Sequence, residues 1–335
     1  MIIYILGFIL GLVLGFSFQK GGFCMNSAFR SIVFEKDHSL VRAWVLVLII
    51  NLVIVHLLDE LALITISRAP LFIFALIPGG LIFGAGMVLA GGCTSGSCYR
   101  AGRGMLGSWA ALAGFVFGAL LFGTGAAAPL QRFLRAYTID IRGEVPSVWN
   151  VLGIDYSIWK WLIIALLSIT GVVWLLRAPK QKYVNGWKWW QTGLAVGILS
   201  VLTWVLSAFV FRDFGLSFTQ PIQSWGNLLL NGDVSGISVV SFLVAGVPVG
   251  AYFVAARAGE AALVLPEPRR MLMQLGGGVL MGTGASIAGG CNIGHGITGL
   301  STLSISSMVA TLFTMFGVWA TTGIIFQKMR KQKSS

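Results

Sequence analysis

The sequence predicts an all-α, polytopic membrane protein: about nine transmembrane helices with short re-entrant helices between them, arranged as two inverted-topology repeats. Three observations carry that prediction. The first is composition: 56% of the 335 residues are apolar and only 10% are charged, against about 25% charged in a soluble domain. Too little polar surface exists to cover a water-soluble globule. The second is a set of nine apolar runs, each long enough to cross about 30 Å of hydrocarbon as a helix. The third is a phrase that occurs twice, GGLIFGAGMVLAGGC at 79–93 and GGVLMGTGASIAGGC at 277–291. Gly84/Gly282, Gly86/Gly284, Ala90/Ala288, Gly91/Gly289, Gly92/Gly290, Cys93/Cys291 and Gly96/Gly294 all pair at one offset of 198. In a membrane protein, duplicated interrupted helices point to a site at the repeat interface.

In chain order the spans fall at 2–18, 40–60, 71–92, 105–128, 157–177, 190–211, 234–256, 271–290 and 298–326. The first has no basic n-region and no small-residue cleavage site, so it reads as a retained span and not a signal peptide. GGFCMNSAFR (21–30) follows it, too polar to span and too apolar for an ordinary loop. That makes 20–36 a re-entrant segment, permitted only where protein or a wet cavity surrounds it. Residues 93–103, after the third span, form the second such segment. The longest loop, 129–156, carries Pro129, Pro146 and three arginines and is placed to cover a mouth. The span at 157–177 connects two four-span units, and 178–190 is a basic, Trp-rich linker whose aromatics suit the membrane interface. In the second unit Gly193-xxx-Gly197 answers Gly7-xxx-Gly11-xxx-Gly15, and FGLSFTQPIQ (214–223) takes the place of 21–30.

The organisation is therefore 1–156, first repeat; 157–189, connecting span and linker; 190–335, second repeat with a basic tail. One span between two even-numbered units inverts the second relative to the first. Glycines four apart, as in Gly80/Gly84, Gly114/Gly118, Gly246/Gly250 and Gly278/Gly282, predict close helix packing. The adjacent glycines before each repeat cysteine predict helix breaks instead.

Charge sets the orientation. With the tail in the cytoplasm and the N-terminus periplasmic, 17 of the 23 Lys and Arg residues lie inside. The six outside are Arg68, Arg132, Arg135, Arg142, Lys160 and Arg212. That bias obeys the positive-inside rule for a multi-pass inner-membrane protein, and the opposite orientation violates it. Topology thus accounts for the net charge of +12, and no nucleic-acid partner is inferred from it. The scarcity of acidic groups, with arginines outside, suits an anionic solute.

The chemistry-bearing candidates cluster in the breaks. Cys24, Cys93 and Cys291 sit in GGFCMNSAFR, AGGCTSGSCYR and AGGCNIGHG. One cysteine alone would read as a small apolar filler, but two at matching repeat positions and a third in the other re-entrant segment argue for a shared role. Cys98 has no repeat partner, because Gly296 matches it, and is read as packing. Gly92, Gly290, Ser95, Asn292 and His295 complete the candidate site. Small residues, hydroxyls and an amide stand where new helices start, and such N-termini favour an oxyanion without a buried counter-ion. Two other uses of these thiols remain open. Three thiols with His295 nearby could hold a soft cation, although no CxxC occurs and the spans offer almost no carboxylates. A membrane redox or sulfurtransferase enzyme would need a close thiol pair, for which Cys93/Cys98 is the sequence-near candidate. No cofactor is expected. His56, Asp59 and Glu60 read as a solvated helix end, and Glu260 beside Arg257 reads the same way.

With CMNSAFR (24–30), GMVLAGGCTSG (86–96), YRAGRG (99–104) and AGGCNIGHGITG (288–299), the chain resembles the YeeE/YedE family of bacterial inner-membrane sulfur-transport proteins over essentially its whole length. The resemblance implies an hourglass-like helical fold with opposed funnels meeting at a narrow centre. It implies thiosulfate uptake, with Cys24, Cys93 and Cys291 lining the constriction and passing the ion on through weak S–H contacts without covalent chemistry, so the chain is expected not to be an enzyme. Family members are also linked to selenium and to other sulfur compounds. A cytoplasmic sulfurtransferase-type, small sulfur-carrier protein is the partner it implies. Cys98 departs from the family pattern.

Overall fold

The computed structural model describes residues 2–141, 143–154, 157–177 and 186–334, with side chains as far as Gln327. Arg142, Lys180, Lys182 and the side chains of the basic tail, which entered the charge argument, lie outside the described residues. The first half runs α1 (Ile2–Gly21), α2 (Met25–Phe34), α3 (Ser39–Glu60), α4 (Ile73–Leu89), α5 (Thr94–Gly102), α6 (Leu106–Gly123), α7 (Ala128–Arg135) and α8 (Val148–Leu152). Then α9 (Ser157–Leu176) leads to α10 (Trp189–Ala208), α11 (Thr219–Asn231), α12 (Val239–Arg257), α13 (Pro268–Ala288), a π-helical stretch (Gly294–Gly299) and α14 (Ile305–Ser334). Among the described residues nine stretches are long and apolar enough to cross a membrane, and each coincides with an expected span. The chain is a multi-pass, all-α membrane protein.

Three boundaries shift for physical reasons. Helix α1 continues to Gly21, so the first re-entrant piece begins at Gly22, whose φ of 58° only glycine adopts freely. The expected span at 105–128 ends at Gly123, and Ala128 opens the amphipathic α7 instead. The expected span at 298–326 begins at Ile305: the π-helical stretch and a left-handed Leu303 (φ 52°) precede it.

Glycine lets the core helices touch. A Cβ on Gly278 or Gly282 of α13 would collide with the Ala111 and Phe115 carbonyls of α6, and one on Gly246 or Gly250 of α12 would meet the Phe8 and Leu12 carbonyls of α1. Gly84 of α4 lies equally close to the Thr314 carbonyl of α14. The small-residue pairs thus bring whole helices to backbone contact, where dispersion and not hydrophobic transfer holds them in lipid. The same contacts fix direction. Gly79 lies against Ala288, while Gly277 lies against Ala90, so α4 and α13 run antiparallel. Helix α9 stands at the periphery, packed on α3 and burying only Ile164 and Leu175.

The glycine repeat places the breaks. Gly91 (φ 75°) and Gly289 (φ 90°) are repeat equivalents, and each turns the chain left-handed where its helix ends. With α4 and α13 antiparallel, the two ends are about 16 Å apart along the pair at 1.5 Å per residue. One break therefore faces each end of the bundle.

Candidate functional site

Each of the three candidate cysteines occupies the same structural position. The carbonyl of Cys24 accepts from Ala28 N (3.0 Å), that of Cys93 from Ser97 N (2.8 Å) and that of Cys291 from His295 N (2.9 Å). Each thus heads a short helical segment: Cys24 caps α2, Cys93 caps α5, and Cys291 precedes the turn that enters the π-helical stretch. Helix N-termini carry unpaired N–H groups and partial positive charge, which bias all three points toward an anion. All three cysteines are buried and none forms a disulfide.

Two of the thiols meet. Cys24 Sγ lies 3.6 Å from Cys93 Sγ, and Cys93 Sγ is 3.3 Å from the Ser95 hydroxyl and accepts from Gly96 N at 3.3 Å. Gly96 is required for this close fit, since a Cβ there would stand 2.9 Å from Cys24 Sγ. The close thiol pair is therefore Cys24/Cys93, joining α2 to α5, and not the sequence-near Cys93/Cys98. Cys291 makes no sulfur hydrogen bond to this pair among the described residues. The two breaks are linked through Met25, beside Cys24, whose Cε sits 3.3 Å from the place a Gly296 Cβ would take. Trp44 ties the same stretch down by donating to the Gly296 carbonyl at 2.6 Å.

Around Cys291 the polar atoms are unpaired. Among the described residues the buried amide of Asn292 has a partner for neither nitrogen nor oxygen, and His295 uses Nδ1 on Ser307 Oγ (3.0 Å) while its Nε2 has none. The Thr94 hydroxyl and Asn26 Oδ1 are likewise buried without partners. A buried polar group without a partner costs about 1–3 kcal/mol, so such a cluster calls for a ligand or water. Gly289, Gly290, Gly294 and His295 form one wall of a cavity of about 600 Å³ that opens at this end of the bundle.

Three arginines, Arg68, Arg135 and Arg212, line the same cavity. Arg135, from α7, reaches across to the last carbonyls of α13, donating Nε to Ile287 O at 3.0 Å, and Gln131 beside it donates to Ser286 O at 2.7 Å. Burial pushes Arg68 and Arg135 below the ordinary guanidinium value and Arg212 down to about 10. All three stay charged at neutral pH. Asp59 and Glu144 lie within reach of Arg68, but among the described residues no carboxylate acts on Arg135 or Arg212. The cavity thus holds positive charge that the protein does not neutralise.

Of the expected residues, Cys24, Cys93 and Ser95 come together at one break, and Cys291, Asn292, His295 and Gly290 at the other. Gly92 faces the guanidinium of Arg100. Sequence reasoning left Cys98 aside, yet it is buried in the same apolar cluster as the other thiols and within electrostatic range of Cys291. The expectation that His56 sits at a solvated helix end is corrected: it is buried, edge-on to Trp149 at 5.8 Å, with Nδ1 2.8 Å from Leu52 O. Glu260 pairs with Arg103 at 3.7 Å and not with Arg257, because the loop after α12 lies along Arg103–Met105. Among the described residues no group of three or more His, Cys, Asp or Glu is arranged to hold a metal ion.

Comparison with known proteins identifies the family. The sequence model of a family described as sulphur transport matches residues 20–320. The chain is 32% identical over 342 residues to the thiosulfate transporter TsuA of Spirochaeta thermophila, covering 96% of this chain and 99% of that protein. It is 32% identical over 346 residues to TsuA of Escherichia coli K12, covering 97% and 96% of the two chains. A probable transporter of Salmonella typhimurium, YedE, is 28% identical over 182 residues, 52% of this chain and 41% of its own length. Matched along nearly its whole length, the chain belongs to the sulphur transport family.

Proposed function

We propose that this protein is a transporter, not an enzyme, that takes up thiosulfate across the inner membrane. The observation that carries the reading is the three cysteines in one structural position, each heading a helix, with unpartnered donors beside them and uncompensated arginines above one break. Two full-length relatives named thiosulfate transporters supply the substrate. Residues 1–156 and 190–335 act as inverted repeats joined by 157–189, a reading that the antiparallel α4 and α13 support. The excess of Lys and Arg at the Arg100 end assigns that end to the cytoplasm and the Arg135 cavity to the periplasm, with the N-terminus outside.

The chemistry follows the ion's own asymmetry. Thiosulfate has hard, charged oxygens and one soft terminal sulfur. Arg135, Arg212 and Arg68 gather the dianion, and Asn292 and His295 hydrogen-bond its oxygens beside Cys291. A neutral thiol is a weak donor and a weak acceptor, so Cys291 and then the Cys24/Cys93 pair bind the sulfur loosely. Weak successive sites let an ion enter and also leave, as conduction requires. No bond to sulfur is made or broken. A small sulfur-carrier protein at the cytoplasmic face is the partner this reading anticipates.

Uptake of radiolabelled thiosulfate into proteoliposomes tests it. The native protein should accumulate the ion, with competition by selenium and other sulfur oxyanions measuring selectivity. Alanine at Cys24, Cys93 or Cys291 should lower uptake about ten-fold or more, the scale of losing one interaction with a charged group. Undiminished uptake in all three variants would refute the thiol path.

A further inference from the structure

The mechanism so far leaves Arg100, half-buried at the first break, unused. Arg100, in the last turn of α5, folds back across the break and donates Nη1 to the Gly91 carbonyl. Its guanidinium lies over the Tyr99 ring, 5.7 Å from the centroid. Gly92 makes the room: a Cβ there would stand 2.8 Å from Nη1. Arg100 is also within electrostatic range of both Cys24 and Cys93. The ion pairs found among the described residues are Arg30–Glu35 and Arg103–Glu260, and no carboxylate is among the groups that act on Arg100.

The opposite break repeats the pattern. There Arg135 donates Nε to Ile287 O at 3.0 Å, beside Gly289, the repeat equivalent of Gly91. An anion passing either break passes a helix C-terminus, whose exposed carbonyls carry partial negative charge and repel it. At each break one guanidinium covers those carbonyls. Hooking to a carbonyl uses one of the five N–H donors of Arg100, which leaves the rest of the fork for an oxyanion.

Resting on the thiosulfate reading above, we propose that Arg100 is the exit-side anion ligand: it receives the oxygens of the dianion as its sulfur leaves the Cys24/Cys93 pair, and mirrors Arg135 at the entrance. The two arginines bracket the thiols, so that the ion exchanges one guanidinium for the other while its soft end moves between sulfhydryls. Arg100 covers the carbonyl end of α4 and stands within electrostatic range of both thiols.

Thiosulfate counterflow in proteoliposomes tests this, with the ion presented from one side at a time in vesicles of known orientation. Arg100→Gln should raise half-saturation about ten-fold for ion added at the Arg100 side and leave the Arg135 side within two-fold, on the scale of a hydrogen bond to a charged group. Arg135→Gln should do the reverse. Arg100→Lys should restore most of the lost affinity, and Gly92→Ala, which displaces the guanidinium without removing it, should shift the same side by less. A purely structural cap predicts a lowered melting temperature with both sides affected equally, and that result overturns the proposal. So does unchanged affinity on both sides in Arg100→Gln while the native protein exchanges the ion. Absence of counterflow in the native protein sinks the thiosulfate reading itself, so the two failures are distinguishable.

Discussion

The two breaks share one phrase, Gly-Gly-Cys after an apolar helix, yet they form different environments. At the first, Cys93 is already engaged, touching Cys24 at 3.6 Å and Ser95 at 3.3 Å. At the second, Cys291 has no such partner among the described residues, Asn292 and His295 hold unbonded atoms, and His295 lines a cavity of about 600 Å³. On the reading proposed above, the difference lets one scaffold serve two ends of one ion. The second break is rich in hard donors and positive charge, which suit oxygens. The first is rich in sulfur, which suits a soft terminal atom. Backbone geometry is shared, since Gly91 and Gly289 end their helices in the same left-handed turn, so the divergence lies in the side chains.

The comparison breaks most readily at the thiol pair. Cys93→Ala removes the partner of Cys24 and Ser95 together, and uptake should fall by roughly 100-fold if the two losses act jointly. Cys93→Ser, which keeps a donor of similar size, should recover part of it. A milder loss than Cys291→Ala would show that the first break is not the sulfur site.

Asn292 sharpens the opposite side. A buried amide without a partner destabilises the empty protein, so Asn292→Leu should raise its stability by about 1 kcal/mol while cutting uptake roughly ten-fold. Thermal unfolding with and without thiosulfate reads both effects. Loss of stability on this substitution would mean the amide is satisfied and not waiting for a ligand.

Smaller effects should rank the arginines. Among the described residues no carboxylate acts on Arg212, whereas Arg68 has Asp59 and Glu144 within reach. Arg212→Gln should therefore raise KM about five-fold and Arg68→Gln about two-fold, with both differences shrinking at high salt. Because Arg212 is pushed down only to about 10, its contribution should be constant from pH 6 to about 9 and fade as pH rises beyond that. Last, Cys98→Ala should lower uptake about two-fold, the scale of one weak contact near Cys291.

Much of this was legible in the residues. The nine spans follow from hydropathy, and the breaks from two adjacent glycines, because helix length and left-handed turns are local properties. Cys24, Cys93 and Cys291 were identifiable because each lies in a segment unable to span. What was hidden is long-range. Nothing local says that Arg100 folds back onto Gly91, that α7 carries Arg135 to the end of α13, or that Cys98 approaches Cys291. The charge bias assigns Arg68, Arg135 and Arg212 to one side but not to one cavity. His56 read as solvated because its neighbours are Asp59 and Glu60, and only tertiary packing brings Trp149 over it. The start of α14 was misplaced because a π-helical stretch and a left-handed Leu303 leave no trace in apolarity.

The central claim is that sulfhydryls from both breaks contact the passing ion. Alkylation rates of Cys93 and Cys291 in the purified protein, followed by peptide mass spectrometry, test it most directly. Saturating thiosulfate should slow labelling at both positions several-fold, and equimolar sulfate, which lacks the soft atom, should protect Cys93 far less. Identical labelling at both cysteines with and without thiosulfate would contradict the account.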